Sequence, residues 1–299
     1  MILANKSGSG PIIPIDWKRP FVQSTTAQPL SISEPITKTV EFMEEDESVG
    51  EVSITYLGPP PSDYRTNLAI SVLDSYLTQS ATSPLSKEFI EIPKPLCTAF
   101  SFYASDRVNK NEISVYISDV PAKYLEDIGG LFQEKLRKIV REEGIDMERM
   151  KRILRKDQRK LLEYMESRAT EVLSDAIIGD FLYGKVDGKE LPLAFNDMED
   201  YSSLHSYTAE EWLALLDKYF VSAPSITIVG KPSAALSVKI EKEERERVAR
   251  RKEELGEEKL KELEAMLEAA KKEGEIPPPK EMITSFPITD VSCRNTLQS

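Results

Sequence analysis

Two short stretches of alternating residues near residue 40 place the strongest constraint on the fold of this chain. ITKTVEFM (Ile36–Met43) and GEVSITYLG (Gly50–Gly58) alternate polar with apolar residues, which is the period of a half-buried strand. The acidic sequence EEDES separates them, so we expect an antiparallel strand pair joined by that turn. GPPPSD comes next, and its prolines end the second strand before Ser62 or Asp63 caps a helix.

After this strand pair, helices and strands follow one another without strict alternation. Apolar residues at helical spacing predict a core helix around Leu68, Val72, Leu73, Tyr76 and Leu77, a shorter helix from Ser83, helices from Pro121 to Gly144 and from Asp146 to about Gly179, and a helix from Thr208 to Phe220. Strands are predicted in LCTAFSFYA, in NEISVYISDV and in SITIVG (Ser225–Gly230). This order predicts an α+β domain over residues 36–239, with a mostly antiparallel sheet covered by helices on one side.

The regions on either side of this domain have a different composition. Residues 1–35 contain five prolines, which oppose both helix and sheet, so we interpret them as an extended arm or linker. Residues 240–274 are nearly all helix-forming and charged, with sparse apolar positions, and Gly256 divides them into two predicted helices. We expect residues 240–299 to form a charged helical hairpin that acts as a connector, followed by a polar tail.

The overall charge and composition exclude several classes of partner. The net charge is −12 and the pI is about 4.9, which argues against nucleic acid and anionic membranes as partners. No stretch approaches the length of a membrane span, and Cys97 and Cys293 form no CxxC or Cys/His pattern. These features favour an intracellular protein, with the cytoplasm as the favoured compartment.

His205 is the only histidine in the chain, and HSYTAEEW around it raises the question of a zinc site. A catalytic zinc ion usually needs three protein ligands, and neither HExxH nor HxxEH can be built from one histidine. Thr208 and Glu211, by contrast, have the spacing of a capping box, so we interpret this segment as the start of a helix. A Ser/His/Asp or Cys/His triad would also need His205, and no nucleophile elbow of the GxSxG type is present. The sequence therefore predicts no catalytic residue and no metal ligand, and it leaves the substrate-binding residues unknown.

Several segments of the chain, taken in order, resemble the pitrilysin/insulinase-type zinc metallopeptidases, in the branch that contains the presequence proteases. GEVSITYLGPPPSDYRTNLAISVLDSYLTQSATSPLSKEFIE resembles the start of the second domain of those enzymes. TIVGKPSAAL resembles the last strand of that domain, and RERVARRKEELGEEKLKELEAMLEAAKK resembles the helical hairpin that joins their two halves. The resemblance covers roughly residues 36–285.

This resemblance implies a non-catalytic second domain with its connector. In the family, four related α+β domains form two halves that close around a peptide, and the first domain carries the HxxEH zinc motif. The resemblance thus implies that zinc belongs to the catalytic domain of a parent enzyme, and that the partners are that domain, the C-terminal half of the same enzyme and unstructured peptides as substrate. A mitochondrial location is also implied as possible, because it is common in this branch.

Two other hypotheses stay open from the sequence alone. The first is a stand-alone interaction or scaffold protein that uses the charged helical hairpin as a docking arm. The second is a hydrolase built around His205, for which no supporting motif exists in the sequence.

Overall fold

The structure is a computed structural model that describes residues 31–107, 109–185 and 188–284. It divides into two compact units with the boundary between Ser237 and Val238. The first unit is α+β, as predicted, with helices packed on a five-stranded sheet. Most of the predicted N-terminal arm, residues 1–30, and the tail, residues 285–299, lie outside the described residues.

The sheet is mostly antiparallel and has the strand order β1-β5-β2-β4-β3. Its strands are β1 (Ile36–Met43), β2 (Val49–Leu57), β3 (Ala99–Ser105), β4 (Glu112–Pro121) and β5 (Ser225–Ser233). Three of the four strand pairs are antiparallel, and only β1 and β5 run parallel. The last strand in the sequence therefore lies inside the sheet, between β1 and β2, and its insertion ties the end of the first unit to its beginning.

The predicted pairing of β1 with β2 is wrong, because β5 lies between them. Nearly all side chains of β1 are exposed, so burial gives this strand no preference for β2 as its neighbour. The apolar strand β5 instead lies between them, where it pairs with β2 from Ser225 to Gly230 and with β1 from Ile226 to Ser233. The acidic turn spans two strand spacings, roughly 10 Å, which a turn of this length can bridge.

Local signals at the helix starts gave correct predictions. The Asp63 carboxylate accepts a hydrogen bond from the Thr66 amide, and the Asp146 carboxylate accepts one from the Arg149 amide, at the first turns of two helices. The α-helices of the first unit are α1 (Tyr64–Thr78), α2 (Ile128–Lys138), α3 (Met147–Ser167), α4 (Ala169–Tyr183), α5 (Asp197–Leu204) and α6 (Ala209–Leu216).

Two predicted helices differ from those in the structure. The long helix expected from Asp146 to Gly179 breaks at Arg168, where φ is −136° and ψ is 34°, so that α3 and α4 are separate. The helix expected from Pro121 begins only at Ile128, because Pro121 is the last residue of β4, where it pairs with Val49, and a short 3₁₀ turn follows.

The hydrophobic core lies between one face of the sheet and the helices. Ring contacts join the two layers, with Tyr56 against Phe220 at 5.2 Å between centroids and Phe100 stacked on Phe132 at 5.8 Å. On the outer side α1 packs against α3, α5 and α6. Full burial of one large apolar side chain contributes about 1.5–3 kcal/mol to folding. The largest fully buried side chains are Trp212, Tyr56, Phe89, Phe132, Phe220, Ile54, Leu73, Leu77, Leu85, Ile117, Ile128 and Leu136.

The second unit consists mainly of the continuation of α7 (Ala234–Gly274), with α8 (Lys280–Thr284) after it. At Gly256 φ is +69° and ψ is 167°, so the predicted division of this charged segment at Gly256 is confirmed. No described residue of α7 is buried. Among the described helices, none combines the length and the apolar character that crossing a membrane requires.

Candidate functional site: the open face of the sheet

The two faces of the sheet differ sharply in chemistry. Alternation along β2 sends Val52, Ile54 and Tyr56 into the core, each at most 1% exposed, and turns Ser53 and Thr55 to the other side. That other side, which we call the open face, also carries Tyr116 of β4, since Tyr116 pairs with Ser53. The open face is therefore a surface on which hydroxyl groups and aromatic rings can meet a ligand or a neighbouring domain.

The polar half of the open face lies on β2, β4 and β3. It borders a shallow hollow of about 500 Å³ whose lining includes Tyr103, Tyr116 and Ser114. The Tyr103 and Tyr116 rings meet edge to face at 5.4 Å, and both side chains are exposed. The hydroxyl groups of Thr55 and Ser114 form a hydrogen bond of 2.8 Å. These groups can accept and donate hydrogen bonds and can stack against an aromatic or planar group.

The apolar half of the open face lies on β1 and β5. The register places Ile226 beside Thr55 of β2 and Ile36 beside Ile226, so both isoleucines lie on the open face. Ile36 is 49% exposed and Val40 is 48% exposed, and both lie on the edge strand β1. An apolar row at the edge of a sheet is typical of a surface that another protein segment covers.

No group on the open face is arranged for bond-making chemistry. Its side chains are hydroxyls, phenols, aliphatic groups and a few carboxylates such as Glu51 and Glu112, with no histidine or thiol beside them. Within residues 31–107, 109–185 and 188–284, no three His, Cys, Asp or Glu side chains come together in a way that could hold a metal ion. The described residues thus do not fit the catalytic zinc centre of a metallopeptidase, and the open face is suited to binding.

His205 lies away from the open face, at the C-terminal end of α5. Its backbone N–H donates to the Tyr201 carbonyl at 3.0 Å. The capping box predicted just after it is confirmed: the Glu211 amide donates to the Thr208 hydroxyl at 3.3 Å, and the Thr208 amide donates to the Glu211 carboxylate at 2.7 Å. Thr208 and Glu211 therefore serve the start of α6, whereas His205 lies at the end of α5.

The described cysteine is also unsuited to nucleophilic chemistry. Cys97 is buried, and that burial raises the pKa of its thiol to about 12. A thiol with so high a pKa is protonated at neutral pH and is a weak nucleophile. Cys293 lies outside the described residues.

Sequence reasoning did not single out the open face. The alternation that predicted β2 also contains the signal for this face. If Val52 and Ile54 point into the core, the residues that follow them, Ser53 and Thr55, must point to the other side of the sheet. What the alternation cannot show is which strands adjoin, and therefore that Tyr103 and Tyr116 stand together.

Taken together, this architecture defines a class of protein: an α+β domain with helices on one side of the sheet, an open face on the other and no metal-holding cluster among the described residues. The model of the Peptidase M16 inactive domain matches residues 15–156. A crystal structure of such an inactive domain from Pseudomonas fluorescens shares the fold, with a TM-score of 0.50, 15% identity, and coverage of 67% of this chain and 44% of the other. Residues 15–156 of the chain are therefore similar to the inactive domain of the pitrilysin/insulinase-type (M16) peptidases, and the solved structure shares the fold.

Two curated relatives match nearly the whole chain. An uncharacterized protein of Schizosaccharomyces pombe is 36% identical over 289 residues, which is 97% of this chain and 27% of the relative. An uncharacterized protein of Saccharomyces cerevisiae is 31% identical over 279 residues, which is 93% of this chain and 26% of the relative. This chain therefore spans about a quarter of the length of the curated relatives it matches.

Proposed function

We propose that this chain is the non-catalytic domain of a peptide-degrading zinc metallopeptidase, and that its open face forms part of the wall of the substrate chamber. One observation carries the proposal: the helices pack on one face of the sheet, while the other face presents hydroxyls, two adjacent tyrosines and exposed aliphatic side chains. Such a face suits an unfolded peptide, which offers backbone amides for hydrogen bonds and side chains for apolar contact.

In this proposal the catalytic groups come from other parts of a longer polypeptide. The partners are a catalytic domain that carries the zinc ion and a C-terminal half that closes the chamber. The charged segment 240–299 serves as the connector between the halves, since a helix with no buried residues and a break at Gly256 can follow a hinge motion at little cost in packing. Intracellular location, with the cytoplasm favoured, and the presequence-protease branch belong to the same proposal.

The first test concerns the origin of the activity. The purified 299-residue chain should neither retain stoichiometric zinc nor cleave an unstructured peptide, and mixing it with the remaining domains should restore cleavage. Metal-dependent proteolysis by this chain alone would contradict the proposal.

The second test concerns the open face and uses the longer polypeptide. Replacing Tyr103 and Tyr116 together by alanine should raise KM for an unstructured peptide several-fold and leave kcat nearly unchanged, because the lost contacts bind substrate and transition state alike. Tyr164→Ala is the matched control, since Tyr164 is equally exposed but lies on the outer helix α3. An unchanged KM in the double variant would remove the open face from the chamber.

A stand-alone interaction protein is the second candidate, and the exposure of apolar side chains on α7 favours it. Val248, Leu263, Met266 and Leu267 are all exposed in a segment with no buried residue. Deletion of residues 240–274 separates the two candidates: loss of partner capture by an otherwise folded domain supports the scaffold, whereas loss of peptide cleavage in the longer polypeptide supports the connector.

A further inference from the structure

A row of five cations runs along the outer surface of α3. Arg152, Arg155, Lys156, Arg159 and Lys160 are all exposed, and together with Glu163 they line an open hollow of about 470 Å³. Their spacing of three and four residues places them on one side of the helix, and we call this row the basic ridge. It spans two turns, roughly 12 Å.

The basic ridge has no carboxylate partner in the part of the chain that the structure describes. The contacts of its side chains are to neutral oxygens: Arg155 Nε donates to the Lys151 carbonyl at 3.2 Å, and Lys156 Nζ donates to the Gln79 side chain at 2.9 Å. The chain carries 51 acidic residues, so the lack of pairing here is a property of the ridge and not of the composition. A concentration of unpaired cations on an acidic protein marks a surface that attracts an anionic group.

The opposite side of α3 fixes the direction in which the ridge points. Met150, Ile153 and Leu154 are buried on that opposite side, and α3 packs against α1. The ridge therefore faces away from the core of the first unit. Beyond its C-terminal end the same helix leaves Leu162, 45% exposed, and Met165 in contact with solvent. The ridge thus borders a small apolar area on the same helix.

We propose that the basic ridge is a docking surface for an acidic amphipathic helix of a partner protein. Two turns of such a helix, with carboxylates every three or four residues, match the length and spacing of the ridge, and its arginines can hold carboxylates through two hydrogen bonds each. The apolar area at Leu162 and Met165 favours a protein over a nucleic acid, whose phosphate backbone offers it nothing. The net charge of −12 also repels a long polyanion more than a short helix. The inference is independent of the chamber role proposed above.

The test measures fluorescence anisotropy of a labelled synthetic helix with the full 299-residue chain. The probe is an alanine-based peptide of about 20 residues with glutamates every three or four positions along one face and leucines at one border of that face. We expect binding that weakens with salt, and a loss of about tenfold or more in affinity with R155E/R159E. A version of the peptide with lysine at the glutamate positions should bind the double variant better than it binds the original chain, which distinguishes charge pairing from damage to the fold.

The matched control is K87E/K94E, which makes the same change of charge at two exposed lysines outside α3 and should leave binding unchanged. Equal affinity of the original chain and R155E/R159E would overturn the proposal. So would tighter binding of a single-stranded oligoribonucleotide or of phosphatidylserine vesicles than of the acidic helix, and so would equal binding of a disordered peptide with the same number of glutamates.

Discussion

The chain contains two strongly charged helices, α3 and α7, that differ in how their cations pair with carboxylates. Along α7 seven of the eleven cations pair with glutamates three or four positions away, such as Lys242 with Glu246 and Arg251 with Glu254. Along the outer surface of α3 the five cations of the basic ridge form no ion pair among the described residues, although Glu148 and Glu163 lie four positions from Arg152 and Arg159. The two helices therefore differ in how many of their cations form ion pairs, and both are strongly charged.

Burial differs between the same two helices. The inner side of α3 buries Met150, Ile153 and Leu154, so tertiary packing fixes this helix and leaves its outer side free for another use. α7 buries no residue, so its helical structure depends on propensity and on its ion pairs. A helix held by its core can tolerate repulsion along its surface, whereas a helix without a core cannot. This explains why α3 tolerates a run of five neighbouring cations without an ion pair, whereas seven of the eleven cations of α7 are paired.

The largest expected effect tests this difference in packing. Leu154→Ala on α3 should lower the free energy of unfolding of the first unit by about 3 kcal/mol, because Leu154 is 1% exposed and its loss leaves a cavity. Val248→Ala on α7 should change the free energy of unfolding by less than about 0.5 kcal/mol, because Val248 is 40% exposed. Urea unfolding followed by circular dichroism measures both, and equal effects would break the comparison.

An effect of intermediate size concerns the pKa of Asp74 of α1, which faces the inner side of α3. Asp157 lies there near Asp74 of α1, and burial, with a smaller contribution from Asp157, raises the pKa of the Asp74 carboxyl to about 6. The ordinary pKa of this carboxyl is 3.8, so between about pH 4 and pH 6 the folded state binds a proton that the unfolded state does not. Stability from this group is therefore fully present below about pH 4 and is lost as the pH rises through 6.

Asp74→Asn should remove this dependence and stabilise the protein at pH 7 by about 2 kcal/mol, since the amide stays neutral and can still accept the hydrogen bond from the Thr78 hydroxyl. Thermal unfolding at pH 4.5 and pH 7 measures the change. Asp175→Asn, at an exposed position of α4, is the control and should leave the pH dependence as it was. If Asp74→Asn destabilises the protein at pH 7, the burial cost assigned to the carboxylate is wrong.

The same contrast shows how far the sequence predicts this molecule. The caps at Asp63, Asp146 and Thr208 were predictable because a cap depends on residues three positions apart. The place of β1 was not, because strand order depends on contacts between residues about 190 positions apart, such as Ile36 with Ile226. The break between α3 and α4 at Arg168 was not predictable either, because no glycine or proline marks it in the sequence.

The two candidate surfaces, the basic ridge and the open face, also differ in how well the sequence predicts them. The cations of the basic ridge are visible in MKRILRKDQRK, but an argument from net charge averages them with 51 acidic residues and conceals them. The open face needed the strand order before Tyr103 and Tyr116 could be recognised as neighbours. A surface within one helix is thus readable from spacing, whereas a surface across strands needs the structure.

The smallest expected effect has opposite signs in the two helices. Arg155 has Lys151, Arg152 and Arg159 within four positions and no acidic residue at those spacings, so Arg155→Gln should stabilise α3 by about 0.3 kcal/mol. Arg251 pairs with Glu254 at 3.1 Å, so Arg251→Gln should destabilise α7 by about 0.3 kcal/mol. Local hydrogen exchange can resolve each helix separately, because it reports the opening of individual segments. Raising the salt concentration should shrink both differences toward zero, and a common sign at low salt would show that the order of charges does not set the stability of these helices.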